Sequence, residues 1–244
     1  MRQIILAINA LLKFKAYTLI NVLGLACSLA CVLTVARYIH QENTVNQCFP
    51  EYKRICLIKT STSSGENFLG GYRSGLEKNP DVEQFTVIYQ ISDMPALFGE
   101  QEIAANAFSV DSTFFKIFPY RVIAGSGRIV RPRDVVITRS FWKKKLGGKN
   151  AIGATFKNTK GNKFTIIGVV DDPDTKTSWM PDIFMSDELD EFLFFDPIYA
   201  MLMAPDTDIA LLNKKYSKEH PRSKWSTYET VRYQYMPLKH IYYD

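Results

Sequence analysis

The sequence predicts an α+β protein in which one N-terminal transmembrane helix precedes an exported domain. Three observations carry that reading. Twenty-one residues, from Ala16 to Ala36, run without a charge between Lys15 and Arg37. Strand-like and helix-like segments alternate near both ends of the remaining chain, as in β-α-β units. Between those ends lie strand pairs joined by short glycine-containing turns, which read as an inserted, hairpin-rich subdomain over roughly residues 120–195.

The apolar run comes first. As a helix it reaches about 31 Å, the thickness of a bilayer's hydrocarbon core. A signal peptide has a shorter apolar region, about 7–15 residues, with its cleavage site after it. Here the small-residue stretch "ACSLA" lies inside the run, and "RYIHQENT" follows. Thr18, Asn21, Ser28 and Thr34 are its polar interruptions, all uncharged. A span over 16–40 is the preferred reading, with a signal anchor or a buried core helix as alternatives. Residues 1–15 carry Arg2, Lys13 and Lys15 and no acid, which keeps that end cytoplasmic by the positive-inside rule, with Arg37 at the far end. Within 1–15, Ile4, Ile5, Ile8, Leu11 and Leu12 share one helical stripe. That predicts an amphipathic helix along the cytoplasmic face, although Leu6 and Phe14 break the pattern and the segment alternatively just extends the span. Gly24 and Ser28 are four residues apart, a spacing that lets a second helix approach closely.

Composition narrows the function. The chain has 30 Lys and Arg against 25 Asp and Glu. With the three basic residues before the span set aside, 27 face 25, too even a balance for a nucleic-acid binder. Residues 41–244 are long enough for one or two cores, and 46% hydrophobic residues predict that they fold. Of four cysteines, Cys27 and Cys31 lie in the span, while Cys48 and Cys56 lie outside it and are able to pair in an oxidising compartment.

The exported elements follow in order. "RICLIKTST" and "VEQFTVIYQI" read as strands, with a short helix in "FLGGYRSGLEKNP" stopped at Asn79-Pro80. "ALFGEQEIAANAFSV" is a hairpin turning at Gly99-Glu100. "DSTFFKIFPYRVIAG" is an Asp-capped short helix leading into a strand. "DVVITRSFWKKKLGG" is a strand and a helix stopped by Gly147-Gly148. "ATFKNTKGNKFTIIGVVDDPD" is a hairpin with Lys160-Gly161-Asn162 at its tip, and "DIFMS" a further strand. "PIYAMLMAP", "DTDIALLNKKYSKEHP" and "YETVRYQYMPL" read as strand, helix and strand. Asp206 or Asp208 caps that helix and Pro221 ends it.

Catalytic motifs are absent. His40, His220 and His240 lack metal spacing. Asp171, Asp172 and Asp174 in "GVVDDPD" are either ligands for a hard cation or, as favoured here, a turn after a strand. "GSGRIV" lacks the third glycine of a dinucleotide loop, and "GGKN" is not a P-loop. Lys143, Lys144 and Lys145 read as a solvated helix face. No cofactor or metal site is predicted.

Several of these stretches together resemble the FtsX/MacB-type permeases of ABC transporters, through their first membrane helix and MacB-like periplasmic core domain. The resembling segments are "KFKAYTLINVLGLACSLAC", "FPEYKRICLI", "DSTFFKIFPYRVIAG", "DVVITRSFWKKKLGGKNAIGATF", "FTIIGVVDDPD" and "MPLKHIYYD", in family order across nearly the whole chain. Cys56 stands where the family has an aromatic residue. The resemblance implies an inner-membrane protein with a periplasmic domain of β-α-β porter-like elements around the inserted subdomain. It implies no enzymatic activity in this chain: a separate cytoplasmic ABC ATPase hydrolyses ATP, and the permease passes that motion to the periplasm for efflux or export. Expected partners are that ATPase, a second permease copy, and a periplasmic or outer-membrane protein. Family members continue into three further spans that grip the ATPase, so the chain is expected to be the N-terminal part of such a subunit. The competing expectation is a membrane-anchored extracytoplasmic sensor or ligand-binding domain.

Overall fold

The computed structural model describes residues 13–63, 65, 67–70, 79–148, 150–186, 197–216, 220–221 and 230–243, and the chain divides into two units, Met1–Thr44 and Val45–Asp244. The first unit is helix α1, Lys15–Asn43. It has no polar face and none of its residues is buried, as befits a helix surrounded by lipid rather than by protein. Most of the expected amphipathic segment 1–15 lies outside the described residues.

The second unit runs β1 (Ile55–Thr62), β2 (Asn67–Leu69), β3 (Val82–Phe98), β4 (Gln101–Val110), α2 (Phe114–Ile117), β5 (Val122–Gly125), β6 (Asp134–Thr138), α3 (Arg139–Lys145), β7 (Thr155–Lys157), β8 (Lys163–Val170), β9 (Ile183–Ser186), β10 (Ile198–Met203), α4 (Ile209–Tyr216), β11 (His220–Pro221), β12 (Thr230–Pro237) and a 3-10 turn, Leu238–Tyr243. Local chemistry sets many of these boundaries. Asp111 Oδ1 accepts from the backbone N–H groups of Thr113 and Phe114 at 2.8 and 3.1 Å, so the acid predicted to cap α2 does so. Asp208 Oδ1 likewise holds Ala210 and Leu211 at the start of α4, which decides between the two candidate caps. The described part of the last helix is Ile209–Tyr216, and Pro221 belongs to β11. Asn67–Leu69 forms a strand where a helix beginning at Phe68 was expected, and the body of that expected helix, 71–78, lies outside the described residues.

The strands pair in one sheet of order β11-β12-β1-β10-β3-β4-β9-β6-β8-β5, with β2 on β1 and β7 on β3 and β8. Because β10 pairs antiparallel with both β1 and β3, those two run parallel with β10 between them. By the same logic β10 and β12 run parallel with β1 between them. Side chains alternate across this section. Ile55 and Leu57 of β1, and Ile198, Ala200 and Leu202 of β10, enter one core with Phe114, Phe118 and Trp179. Cys56 and Ile58, with Tyr199, Met201 and Met203, enter another with Leu212 of α4. All six residues of β10 are buried, the signature of a strand covered on both faces.

Further along, the sheet closes on itself. β3, β4, β9, β6, β8 and β7 form a ring, with β7 joining β3 at Leu97–Lys157 and β8 at Phe156–Phe164. Its interior holds Ile91, Ala105, Ile137, Phe164, Ile183 and Met185, and Phe156 stacks on Phe164 at 5.3 Å. A β-bulge makes this closure possible. The β3–β4 register shifts between Ile91 and Met94, where Asp93 takes φ +51°. Asp93 N–H donates to Asn106 Oδ1 at 3.2 Å, Asn106 N–H donates to Asp182 Oδ2 at 2.9 Å, and Asp182 N–H donates to the Asn106 carbonyl at 2.7 Å, so the bulge is pinned to the segment leading into β9. A bulge bends its strand and sharpens the twist, turning the far half of the hairpin into the ring.

At the other edge, β5 lies so close to β8 that a Cβ on Gly168 would sit 1.7 Å from the carbonyl oxygen of Ser126. That neighbour is backbone and cannot swing away. Gly168→Ala is expected to destabilise the domain by about 2–4 kcal/mol through forced strand separation. Urea unfolding of the full chain in detergent checks this, with Gly153→Ala, an open but positive-φ position, as the comparison for simple backbone strain.

Candidate functional site

The residues predicted for orientation and packing all lie on or beside α1. Lys13 and Lys15 stand at its N-terminal end, and Arg37 lies about one and a half turns before its last residue. Gly24 and Ser28 share one face. Ser28 Oγ donates to the Gly24 carbonyl at 2.8 Å, and Thr34 Oγ1 to that of Ala30 at 2.7 Å. Such back-bonds satisfy hydroxyls that apolar surroundings leave without water. No atom lies within 4 Å of a Cβ built on Gly24, so the small-residue face stays open. At about 43 Å, the helix is longer than the hydrocarbon core. Thr44 closes its end, its N–H and hydroxyl both donating to the His40 carbonyl.

The second unit opens on a residue the sequence reading passed over. Asn46 is fully buried and adopts φ +61°, a left-handed conformation that asparagine tolerates better than most residues. Its backbone N–H donates to the Lys176 carbonyl at 2.9 Å. Its Oδ1 accepts from Ser178 N–H at 2.8 Å and from the Thr177 hydroxyl at 2.9 Å. Its Nδ2 donates to the Leu238 carbonyl at 3.2 Å. One amide therefore joins three segments: the start of the domain, the 176–178 loop, and the turn that follows the last strand. Apolar packing surrounds it, since Val45, Phe49 and Leu238 are buried and Phe49 meets Phe118 and Tyr120 edge-on at 5.0 and 5.7 Å. The signal available in sequence was slight: a lone Asn between the apolar Val45 and Phe49, just past a helix end.

Two further polar clusters lie in the same unit. Arg54, of the family-like Arg-Ile pair, donates through Nε to the Met203 carbonyl at 2.9 Å and pairs with Glu51 at 3.1 Å and Glu83 at 2.5 Å. It thus clips β1, β10 and β3 together. Asp171 pairs with Arg121 and, at 3.0 Å, with Arg139. Burial alone would raise the Asp171 carboxyl. The Arg121 hydrogen bond and the charges of Arg121 and Arg139 outweigh it and hold the group below the usual carboxylate range. Asp172 accepts from both the N–H and the hydroxyl of Ser140, at 3.2 and 2.8 Å, in the first turn of α3. The acidic turn therefore binds protein donors, and among the described residues no group of three His, Cys, Asp or Glu stands close enough to hold a metal.

A cavity of about 150 Å³ adjoins this turn, lined by Cys48, Phe49, Tyr120, Arg121 and Asp171 among others. Cys48 and Cys56 are free thiols, so the optional disulfide does not form. Cys48 packs on the core containing Phe49, whereas Cys56 points into the core containing Tyr199. Burial pushes the Cys56 thiol up to about 12 and raises that of Cys48, so both stay protonated at neutral pH. Chemically, these groups tie strands and loops together and present no activated nucleophile.

Two outcomes follow for stability. Asn46→Ala strands the Ser178 N–H and Leu238 carbonyl and strains the backbone, at an expected cost of about 3 kcal/mol by chemical denaturation. Asn46→Gly relieves the backbone alone and should recover only about 1 kcal/mol of it. Lowering the pH should remove the Asp171 contribution. That contribution is complete above the ordinary carboxylate pKa of about 3.9 and is lost as pH falls through the lower folded value. Thermal melts of Asp171→Asn should therefore show a flatter acid limb than the parent chain.

Comparisons with known proteins place this architecture. A family model described as the MacB-like periplasmic core domain matches residues 18–215. A domain of a permease protein from Porphyromonas gingivalis has a similar structure, with a TM-score of 0.62 and 19% identity, covering 78% of this chain and 92% of that one. The periplasmic region of MacB from Actinobacillus actinomycetemcomitans aligns with a TM-score of 0.53 and 15% identity, covering 67% of this chain and 81% of that one. No curated protein sequence matches the chain significantly. The apolar helix and the periplasmic-type domain together fit an inner-membrane protein with an extracytoplasmic domain. Its ordered motifs, mixed sheet and matched length make the chain a member of the MacB-like periplasmic core domain family, found in ABC-type transporter permeases.

Proposed function

We infer that this chain is the N-terminal part of an ABC transporter permease subunit, passing motion from a cytoplasmic ATPase to the periplasm for efflux or export. The observation that carries this reading is the Asn46 node. The residues that follow the membrane helix and the turn that follows the last strand hang on one buried amide. Within the second unit, a displacement at residue 46 is shared by the start and the end of the domain through that amide. The basic Lys13 and Lys15 set the N-terminus in the cytoplasm and the domain in the periplasm. The open Gly24–Ser28 face receives a helix of the second permease copy. Strands β1, β3, β10 and β12 supply the porter-like β-α-β elements, and residues from roughly 120 to 195 supply the inserted subdomain.

The test uses the full-length gene product expressed with its cytoplasmic ATPase. The ATPase is expected to co-purify with it. In that complex Asn46→Ala should leave ATP hydrolysis near its parental rate and lower ATP-driven export at least severalfold. Reproducible absence of any ATPase, or parallel loss of hydrolysis and export, removes the coupling role.

A further inference from the structure

A second cavity, of about 640 Å³, opens between the α2 region and the loop from β5 to β6. Its lining includes Phe115 and Lys116 of the α2 region and Arg128, Ile129, Val130 and Arg131 of the loop. Its size falls within the range of ligand-binding clefts. Its chemistry is unusual for a solvated surface, because apolar and cationic groups are interleaved. Val130 is 69% exposed, while Phe115 and Ile129 are half-buried against the core beneath.

Among the described residues, none of the side chains of Lys116, Arg128 and Arg131 makes an ion pair or hydrogen bond. Asp111, the acid in the cavity lining, is turned away: its carboxylate accepts from the Thr86 hydroxyl and from the backbone N–H groups of Val87, Thr113 and Phe114. Asp134, next to the loop, accepts the Arg131 backbone N–H at 3.0 Å. The loop itself is held in place. Ser126 N–H donates to the Ile167 carbonyl, Ser126 Oγ donates to the Arg128 carbonyl at 2.7 Å, and Asp134 N–H donates back to the Arg131 carbonyl. The two arginines are thus presented on a braced backbone, and little ordering cost attends binding.

We propose that this groove docks an acidic peptide segment of a partner protein, one in which carboxylates alternate with aromatic or branched apolar side chains. Along the loop the order is cation, two apolar residues, cation, and Lys116 of the α2 region adds a third cation to the lining. That pattern matches several spaced carboxylates better than one compact phosphate. Guanidinium groups take carboxylates bidentately, and the apolar floor takes the intervening side chains. The proposal is independent of the coupling role, since a groove can be occupied whether or not an ATPase drives the subunit.

The experiment places the full chain in nanodiscs of zwitterionic phosphatidylcholine and titrates it into a fluorescein-labelled decapeptide alternating Asp and Glu with Phe and Leu. Fluorescence anisotropy should report binding. An Asn/Gln twin of the peptide should bind about tenfold more weakly, and raising salt from about 0.05 to 0.3 M should have a similar effect. The double variant Arg128→Gln, Arg131→Gln should lose about tenfold in affinity, Arg128→Lys should retain most of it, and Lys143→Gln with Lys144→Gln should change nothing. Equal binding of the two peptides overturns the proposal, as does no binding of either. If vesicles of phosphatidylglycerol compete through the same two arginines, the groove is a lipid-headgroup site and the peptide assignment fails. If the double variant melts lower than the parent without peptide, the two arginines serve the fold rather than a partner, and the proposal fails as well. Should the double variant not fold, the amide twin and the salt titration still decide.

Discussion

Asn46 is the constraint on which the second unit's framing depends. A buried primary amide costs free energy unless its donors and acceptor are all matched, and here the matching groups come from three separate stretches of chain. None of those stretches can shift without leaving a polar group unpaired in an apolar setting. The neighbouring aromatic cluster of Phe49, Phe118 and Tyr120 gives the amide its dry surroundings, which strengthen each hydrogen bond. Directional bonding at one point and non-directional packing around it together fix a place where loop and turn meet. Hydrophobic packing alone would tolerate sliding.

From that point the sheet extends without a break. β3 and β4 belong to both halves of the unit: the early residues of β3 pair with β10 and with the later residues of β4, while the later residues of β3 pair with the early residues of β4 in the ring. The bulge at Asp93 is the only register shift between those halves in the β3–β4 ladder. Side chains follow the same division, with Ile88 and Phe108 in the core shared with Trp179, and Ile91 and Ala105 inside the ring. A hairpin common to two cores is stiffer than a linker, because rotating one half against the other would require breaking the ladder at the bulge and reseating side chains on both sides.

Much of this was legible in the sequence, and the reasons for what was not are physical. Runs rich in apolar and β-branched residues marked β1, β3, β8, β9 and β10, and glycine at Gly99 and Gly161 marked the two hairpin tips with φ +64° and +81°. Caps at Asp111 and Asp208 were legible because Asp chemistry at a helix start is local. Long-range order was not. Nothing local places β10 between β1 and β3, or brings β9 parallel to β4, since those pairings are selected by which faces bury which side chains. Closure of the ring through β7 rests on a single pair, Leu97–Lys157, with no motif of its own. Asn46 was missed because an asparagine after a helix reads as an ordinary turn residue, and its burial comes from partners 131 and 192 residues away.

The charges divide in the same manner between local and distant causes. Arg54, Arg121 and Arg139 each meet a carboxylate across strands or loops, so their cationic character serves the fold. Arg54 is half-buried, and its hydrogen bond to the Met203 carbonyl, beside two exposed carboxylates, ties the ion pairs to the strand edge. Arg128 and Arg131 stand on a loop braced by its own backbone and by Ser126, and among the described residues no contact draws on their guanidinium groups. Two arginines on either side of half-buried Ile129 and exposed Val130 raise the local cost of leaving the groove empty of counter-charge. Conversely, the acids at 171 and 172 are fully engaged by protein donors, which is why a run that looks like a cation site in sequence behaves as a joint. Whether a charged cluster is joint or docking surface is thus decided by where its counter-charges sit, a property of the folded chain that spacing along the sequence does not encode.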